Sequence, residues 1–394
     1  MKKTFIVLAV SMLAAGLSKA QDFTLGADIS WETEMEAKGY TFANANGEAR
    51  ECTVLMKELG LNAVRLRVWV NPANGYCGKQ DVLNKALRAK QAGMDIMIDF
   101  HYSDSWADPG KQNIPAAWKN HTYAQMLKDV EDHTVEVLTL LKDNDINVRW
   151  VQVGNETSNG LLWTVGQADK NPEQYAGLID TGYAAVKKVY PEAMVIVHLD
   201  NGFNNSLYSW NLGILKKHGA RFDMVGMSLY PYSAVEYNGL SSVEKAVQAC
   251  VENIAWVKSE LNLPVMIVET GMKVGKATEG KSLLSLLITR MREDTNGFCR
   301  GVMYWEPEAP SGYNGGYDMG AFVADSKKVC KPTAIMEAFT EAAQTAIMQP
   351  AAENEKNIGS YDLQGRLERN ATSLSTHFPS IIVTSGGQKL LTTP

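Results

Sequence analysis

The sequence predicts a closed (β/α)8 barrel with a short β-rich C-terminal extension. Three observations carry this. Eight short apolar runs are spread along the chain, and stretches with apolar residues at helical spacing alternate with them. Strand-length runs alternating with helices pair in parallel, because a parallel pair needs a long crossover connection. Polar and aromatic residues gather where each run stops, as they do at the C-terminal rim of such a barrel. The structural rival is an open doubly wound sheet. The absence of a Gly-x-Gly-x-x-Gly turn after the first run weighs against its dinucleotide-binding form.

In chain order, Lys2-Lys3, the apolar stretch Phe5–Leu17 and Ser18-Lys19-Ala20 form an export signal, with cleavage expected after Ala20. The apolar stretch is short for a retained membrane span, and no other stretch is long enough, so no transmembrane segment is expected. The expected location is periplasmic, cell-surface or extracellular. The strand runs are Thr24–Ser30, Ala63–Val70, Asp95–His101, Val148–Asn155, Met194–Leu199, Met224–Tyr230, Pro264–Val268 and Gly301–Trp305. Helical spacing marks Ala49–Leu59, Lys79–Ala92, Tyr123–Lys142 and Pro172–Val189. Asn171-Pro172 opens the last of these, an expected capping side chain before Pro at the first helical position. The barrel domain is expected over 21–345, a linker over 346–357 and a small β-patterned module over 358–394. In that module Tyr361–Arg366 and Ile381-Ile382-Val383 resemble the C-terminal secretion and sorting domains of exported Bacteroidetes proteins.

The formal net charge is −6 with no basic stripe, which argues against nucleic acid as partner. Five cysteines leave at least one unpaired within a single chain. Barrel geometry permits a bridge between Cys52 and Cys77, both at the top of adjacent units. It excludes one between Cys299, at the bottom, and Cys330, after the top loop, because a disulfide spans no more than ~7 Å between Cα atoms. Cys250 lies in a helical pattern, as a buried thiol would. No Cys-x-x-Cys or His cluster suggests zinc, and no cofactor or metal is expected.

Two of the runs end at glutamates, Glu156 and Glu269. Cleaving a glycosidic bond needs one carboxylic acid to protonate the leaving oxygen and a second carboxylate to attack or to activate water. Strand ends hold such groups rigidly. Asp28, Asp99, Asp104, Asp200 and Glu306 also sit at strand ends, so position alone selects no pair. Acids there can equally cap helices or pair with Arg65 or Arg67 inside the barrel. Asn155 beside Glu156, the stretch His101–Pro109, and the aromatics Tyr230, Tyr232, Trp163 and Trp305 add sugar-binding character to one rim.

On these residues the chain resembles glycoside hydrolase family 53, the endo-β-1,4-galactanases of a clan of retaining (β/α)8 glycosidases. The resemblance covers Phe23 to Ala338. It rests on Gly26–Ser30, Val64–Trp69, His101–Pro109, Val151–Glu156, Val268-Glu269-Thr270 and Tyr304–Pro307. It implies Glu156 as acid/base and Glu269 as nucleophile. It implies Asn155 as the contact to the sugar 2-hydroxyl and Arg67 as the arginine below the nucleophile. Tyr230 would hydrogen-bond the nucleophile and Trp305 would floor the −1 subsite, with His101, Asp104, Trp106 and His198 among the cleft residues. The implied substrate is β-1,4-galactan or type I arabinogalactan, cut by a monomer. A clan relative cutting β-1,4-mannan, xylan or glucan, or a non-catalytic glycan-binding barrel, are the alternatives. Two departures from the family are visible. The segment after Glu269 is short, with two lysines and no His/Asp cluster, so no calcium is expected there. Ser233 stands where an aromatic residue is usual.

Overall fold

The computed structural model describes residues 23–348 and three short strands beyond them. The predicted export signal lies outside the described residues. One compact unit spans Gln21–Gln344. Its centre is a closed barrel of eight parallel strands: β1 Thr24–Asp28, β2 Ala63–Val68, β3 Asp95–Phe100, β4 Val148–Val153, β5 Met194–Leu199, β6 Met224–Ser228, β7 Val265–Glu269 and β8 Cys299–Trp305. Each strand pairs with its neighbours in sequence, and β1 closes the ring against β8 in the register Asp28 to Trp305. The (β/α)8 expectation therefore holds.

The helices Cys52–Glu58, Lys79–Gln91, Tyr123–Asp143, Pro172–Val189, Asn205–Lys217, Val243–Leu261, Ala277–Glu293 and Glu337–Met348 form the outer ring. Their apolar faces meet the outward side chains of the strands in one continuous core. The first helix is shorter than its apolar spacing suggests. Ala49–Arg50 pairs as a strand, and Glu51 caps the helix by accepting from Val54 N at 2.9 Å. Asn171 does not cap its helix. Its amide donates instead to Thr164 O at 2.9 Å, and Pro172 starts the helix without that bond. The last helix runs into the first three residues of the expected linker, and the remainder of that linker lies outside the described residues. A four-stranded sheet of Phe322–Ala324, Val329–Pro332, Thr41–Ala43 and Ala49–Arg50 ties the segment after β8 to the segment after β1. Separately, Gly359–Tyr361, Ser380–Val383 and Lys389–Thr392 form a three-stranded antiparallel sheet.

Inside the barrel the side chains sort by depth. The lower interior is apolar: Ala63, Met97, Trp150, Ile196, Met224, Met266, Val268 and Met303. Two residues further along the strands, on the same face, stand Arg65, Asp99, Gln152 and His198, with Ser228 four residues beyond Met224, all buried. The barrel thus changes from greasy to polar over one step of the pleat, just below its C-terminal rim.

All five cysteines are free and buried. The Cys52–Cys77 bridge is not formed. Cys77 has a left-handed backbone, φ 60°, with its N–H bound to Asp81 Oδ2 at 2.7 Å. This turns its thiol to the Ser30 carbonyl. Cys52 belongs to the first turn of its helix, and Cys250 is a buried helical thiol as expected.

Candidate active site

Arg65 organises the polar layer. Its Nη1 donates to Asp28 Oδ2 at 2.6 Å and its Nε to Gln152 Oε1 at 2.7 Å. Its Nη2 meets Asn155 Oδ1 at 2.8 Å, Glu269 Oε1 at 2.8 Å and Asp99 Oδ2 at 3.0 Å. An arginine suits this place because its fork offers five N–H donors in fixed directions and stays charged when buried. Burial would raise the Asp28 carboxyl, but Arg65, Arg67 and Ser30 hold it below the usual carboxylate range.

This corrects the role expected of Arg67. Arg67 also points inward, one pleat higher, and pairs with Glu306 at 3.0 Å. Its guanidinium lies 4.1 Å from the ring centre of Trp106 and 5.2 Å from that of Trp69. It supports the aromatic wall, and the arginine touching Glu269 is Arg65. Glu306 is accordingly structural. It also accepts from Trp31 N at 3.0 Å, and burial lifts its carboxyl to about 7.

Glu156 and Glu269 come together on one cavity of about 390 Å³, with His101, Trp106, Asn155, Tyr230 and Trp305 also on its walls. Each glutamate reaches it by a local irregularity. Gly154 and Glu156 both have left-handed backbones, φ 86° and 45°, so the chain turns sharply off β4. A Cβ on residue 154 would lie 2.4 Å from Thr157 Cγ2, which only glycine avoids. A non-glycine residue in this region is strained, and such strain collects at functional sites. On β7 the register against β6 slips, pairing Ser228 with Glu269 after Met227 with Ile267. Strict alternation from inward Val268 would turn Glu269 outward. The bulge turns it back towards Arg65.

The two carboxyls are unequal. Glu269 contacts Arg65 through Oε1 and accepts from the Tyr230 hydroxyl on Oε2 at 3.1 Å. Among the described residues no cation contacts Glu156; its Oε1 accepts from Ser228 Oγ at 2.6 Å. Burial lifts Glu269 to about 7 against the pull of Arg65. Burial raises Glu156 well above the carboxylate range, and the charges of Glu269 and Asp200 push the same way. Two interacting acids release their protons in two steps that belong to the pair. The environment leaves the first proton on Glu156 and the charge on Glu269.

Several expected cleft residues act one layer back. His101 lines the cavity with both ring nitrogens already engaged. Its Nδ1 accepts from Ala107 N at 3.0 Å, and its Nε2 lies 3.0 Å from Asp99 Oδ2. His198 is fully buried beneath the cavity, bonded through Nε2 to Ser228 Oγ at 2.8 Å. Asp104 binds backbone instead, accepting from Asn71 N at 3.0 Å and Ala116 N at 2.8 Å, and so pins two loops. Tyr232 turns away to Glu279, and Trp163 donates to Asn159 O. Of the four rim aromatics, Tyr230 and Trp305 face the cavity, and Trp106 joins them. Trp305 is held edge-on by Trp31, Trp106 and Tyr317. Asn155 keeps its side chain in place through Arg65 and through Ala107 O at 2.8 Å, which leaves one amide hydrogen for a ligand. A second cavity, of about 270 Å³, adjoins Glu156 but not Glu269, and is lined by Asp200, Asn201, Ser228, Tyr230 and Ser233. Among the described residues no cluster of three or more His, Cys, Asp or Glu could hold a metal ion.

Comparison with known proteins agrees with this architecture. The profile of glycosyl hydrolase family 53 matches residues 24–339. The chain is 33% identical over 328 residues to a probable arabinogalactan endo-β-1,4-galactanase A of Aspergillus fumigatus, covering 77% of this chain and 89% of that one. It is 31% identical over 314 residues to arabinogalactan endo-β-1,4-galactanase A of Aspergillus niger, covering 74% and 87%. Among solved structures, a fungal β-1,4-galactanase superposes with a TM-score of 0.71 at 26% identity, over 81% of this chain and 99% of the other.

Proposed function

The chain belongs to glycosyl hydrolase family 53, and from that premise we propose that it is a retaining endo-β-1,4-galactanase acting on pectic galactan or type I arabinogalactan. One observation carries the reading: two carboxyls share a cavity, and among the described residues only Glu269 of the two touches a cation. A nucleophile must be ionised and a general acid must hold a proton at the same pH. Glu269, against Arg65 and Tyr230, attacks the anomeric carbon. Glu156, raised by burial and by its acidic neighbours, protonates the leaving oxygen. In the second step Glu156 takes a proton from water, and that water releases the sugar from Glu269. Asn155 directs its free amide hydrogen at the sugar bound between them.

The first test is selectivity. Reducing-sugar release from galactan, with mannan, xylan and carboxymethylcellulose in parallel, should favour galactan. Release from another glycan instead would give the activity to a clan relative, and release from none would leave a glycan-binding barrel. Glu156→Ala tests the mechanism. It should lose hydrolysis of galactan yet still react with aryl galactosides whose phenol leaves unprotonated, and azide should restore turnover as the β-galactosyl azide. Full activity of Glu156→Ala on galactan would remove the acid/base role.

The acidities also set a pH profile. kcat/KM should be bell-shaped in the free enzyme. The acid limb marks protonation of Glu269, and burial places it above the ordinary carboxylate pKa of about 4.3. The alkaline limb marks loss of the Glu156 proton. An acid limb at or below pH 4 would show that Arg65 outweighs burial.

Trp305 ends β8 beside both glutamates and presents a ring to the sugar. An aromatic floor there supports the apolar sugar face and the positive charge that grows in the transition state. Trp305→Ala should lower kcat/KM by more than the roughly tenfold that one stacking contact of ~1.5 kcal/mol supports. Near-normal kcat/KM with a lowered Tm would make Trp305 packing alone. The N-terminal sequence supports export, which predicts a mature protein beginning at Gln21; N-terminal sequencing of the secreted protein checks it.

A further inference from the structure

Resting on the reading of Glu156 as acid/base, we infer that Ser228 confines the catalytic proton of Glu156 to its Oε2 oxygen, and that Arg65 sets this at a distance through Gln152 and His198. One chain of donors leads there. Arg65 has only N–H groups, so the atom 2.7 Å from its Nε must be the Gln152 oxygen. The Gln152 nitrogen then donates to Asp99 Oδ1 and to His198 Nδ1, each at 3.0 Å. The Glu156 backbone N–H approaches the same ring nitrogen from 3.3 Å. With two donors converging on it, Nδ1 carries a lone pair. Asn155 Oδ1 also lies 3.0 Å from Nδ1 and by itself would favour a proton there. Meeting that preference while keeping Nε2 protonated would make the ring a cation, which burial and the charge of Arg65 oppose.

The ring proton therefore sits on Nε2 and is donated to Ser228 Oγ at 2.8 Å. The Ser228 hydroxyl is left to donate to Glu156 Oε1 at 2.6 Å. A proton on Oε1 would meet that O–H head-on. With His198 already donating to Oγ, relief would require the Ser228 hydroxyl to swing its hydrogen away from Glu156, and no other acceptor stands beside Oγ among the described residues. Oε1 is thus occupied by a donor whether or not Glu156 is charged. The acid proton is left to Oε2, which has no hydrogen-bond partner among the described residues, on a side chain that lines both cavities. The same arginine therefore holds Glu269 directly and orients Glu156 through three intermediaries. Ser228 is a positioning residue: it keeps the proton on the oxygen free to meet the leaving group, and it stabilises the carboxylate that proton transfer leaves behind.

The test compares Ser228→Ala with wild type on galactan and on an aryl β-galactoside whose phenol needs no protonation. On galactan, kcat/KM should fall on the order of 10–100-fold, part of what a general acid contributes, with kcat affected more than KM. On the activated substrate it should stay close to wild type. Losing the hydroxyl donor destabilises the Glu156 carboxylate, so the acid form persists and the alkaline limb of the profile moves to higher pH. Ser228→Cys keeps the size with a weak donor and should fall between, and it carries the test if Ser228→Ala does not fold. Equal losses on both substrates with an unmoved alkaline limb would overturn the inference and leave Ser228 as packing. Normal galactan hydrolysis by Glu156→Ala would instead overturn the acid/base reading itself, whatever Ser228 does.

Discussion

Replacing Glu269 with alanine should reduce turnover of galactan by roughly 10⁴–10⁶-fold, the scale seen when a covalent nucleophile is removed. The fold should survive. Glu269 is one of several partners of Arg65, which keeps Asp28, Asp99, Gln152 and Asn155 when the carboxylate is gone. Glu156 keeps its Ser228 bond and, with its nearest negative charge removed, should hold its proton to higher pH. Azide can then enter the space below the sugar while Glu156 still protonates the leaving oxygen. The product should be the α-galactosyl azide, against a β-configured first product from the wild-type enzyme. NMR of the initial products checks both. A β-azide from Glu269→Ala would exchange the roles of the two glutamates.

The second large effect is expected at Arg65. Arg65→Met should destabilise the protein by about 3–5 kcal/mol, because removing one partner leaves the others as uncompensated buried charge. It should also lower kcat/KM on the order of 10²–10³-fold, as losing a preorganised electrostatic contact at a reacting group does. The part of the pH dependence of stability that comes from Asp28 should change sign. In the wild type the Asp28 carboxyl is held below its usual range, so its contribution is present above about pH 4 and is lost as the pH falls through the folded value. Without Arg65 burial dominates and the folded value rises above the unfolded one. The contribution from Asp28 is then best below about pH 4 and is lost as the pH rises. Glu156, Glu269 and Glu306 are raised by burial and give up stability as the pH rises, so the check is the difference between the two proteins: thermal melts from about pH 3 to about pH 7 should show the destabilisation by Arg65→Met growing with pH. Parallel slopes would mean that Arg67 and Ser30 hold the Asp28 charge without Arg65.

Much of this site was legible along the chain, and the limits have identifiable causes. The strand runs ended within two residues of the observed strands because inward and outward alternation is a local property. The wall of Trp106, Tyr230 and Trp305 and the pair of glutamates followed from strand ends and from the family resemblance. Arg65 is legible as a partner for acids inside the barrel, and Gln152 and Ser228 carry the same signal. Each is a polar residue at inward parity in the last turn of the pleat of an otherwise apolar strand, as are Asp99 and His198. Such a residue is costly to bury alone and so must belong to a network. Choosing Arg65 over Arg67 was beyond reach of that rule, since both have the same parity. Asp104 and Tyr232 misled because an acid or an aromatic at a rim looks the same in sequence whether it faces a ligand or a backbone.

The sequence by itself determined the eightfold alternation and, through the family resemblance, the identity of the two glutamates. The first follows from spacing, the second from the motifs that carry the resemblance. Only the tertiary structure decided which acid is charged, because that depends on Arg65 lying against Glu269 and not against Glu156. It also decided that Glu269 faces inward at all. That orientation comes from a one-residue slip between β6 and β7, and a register between two strands is a property of the closed ring, not of either strand alone.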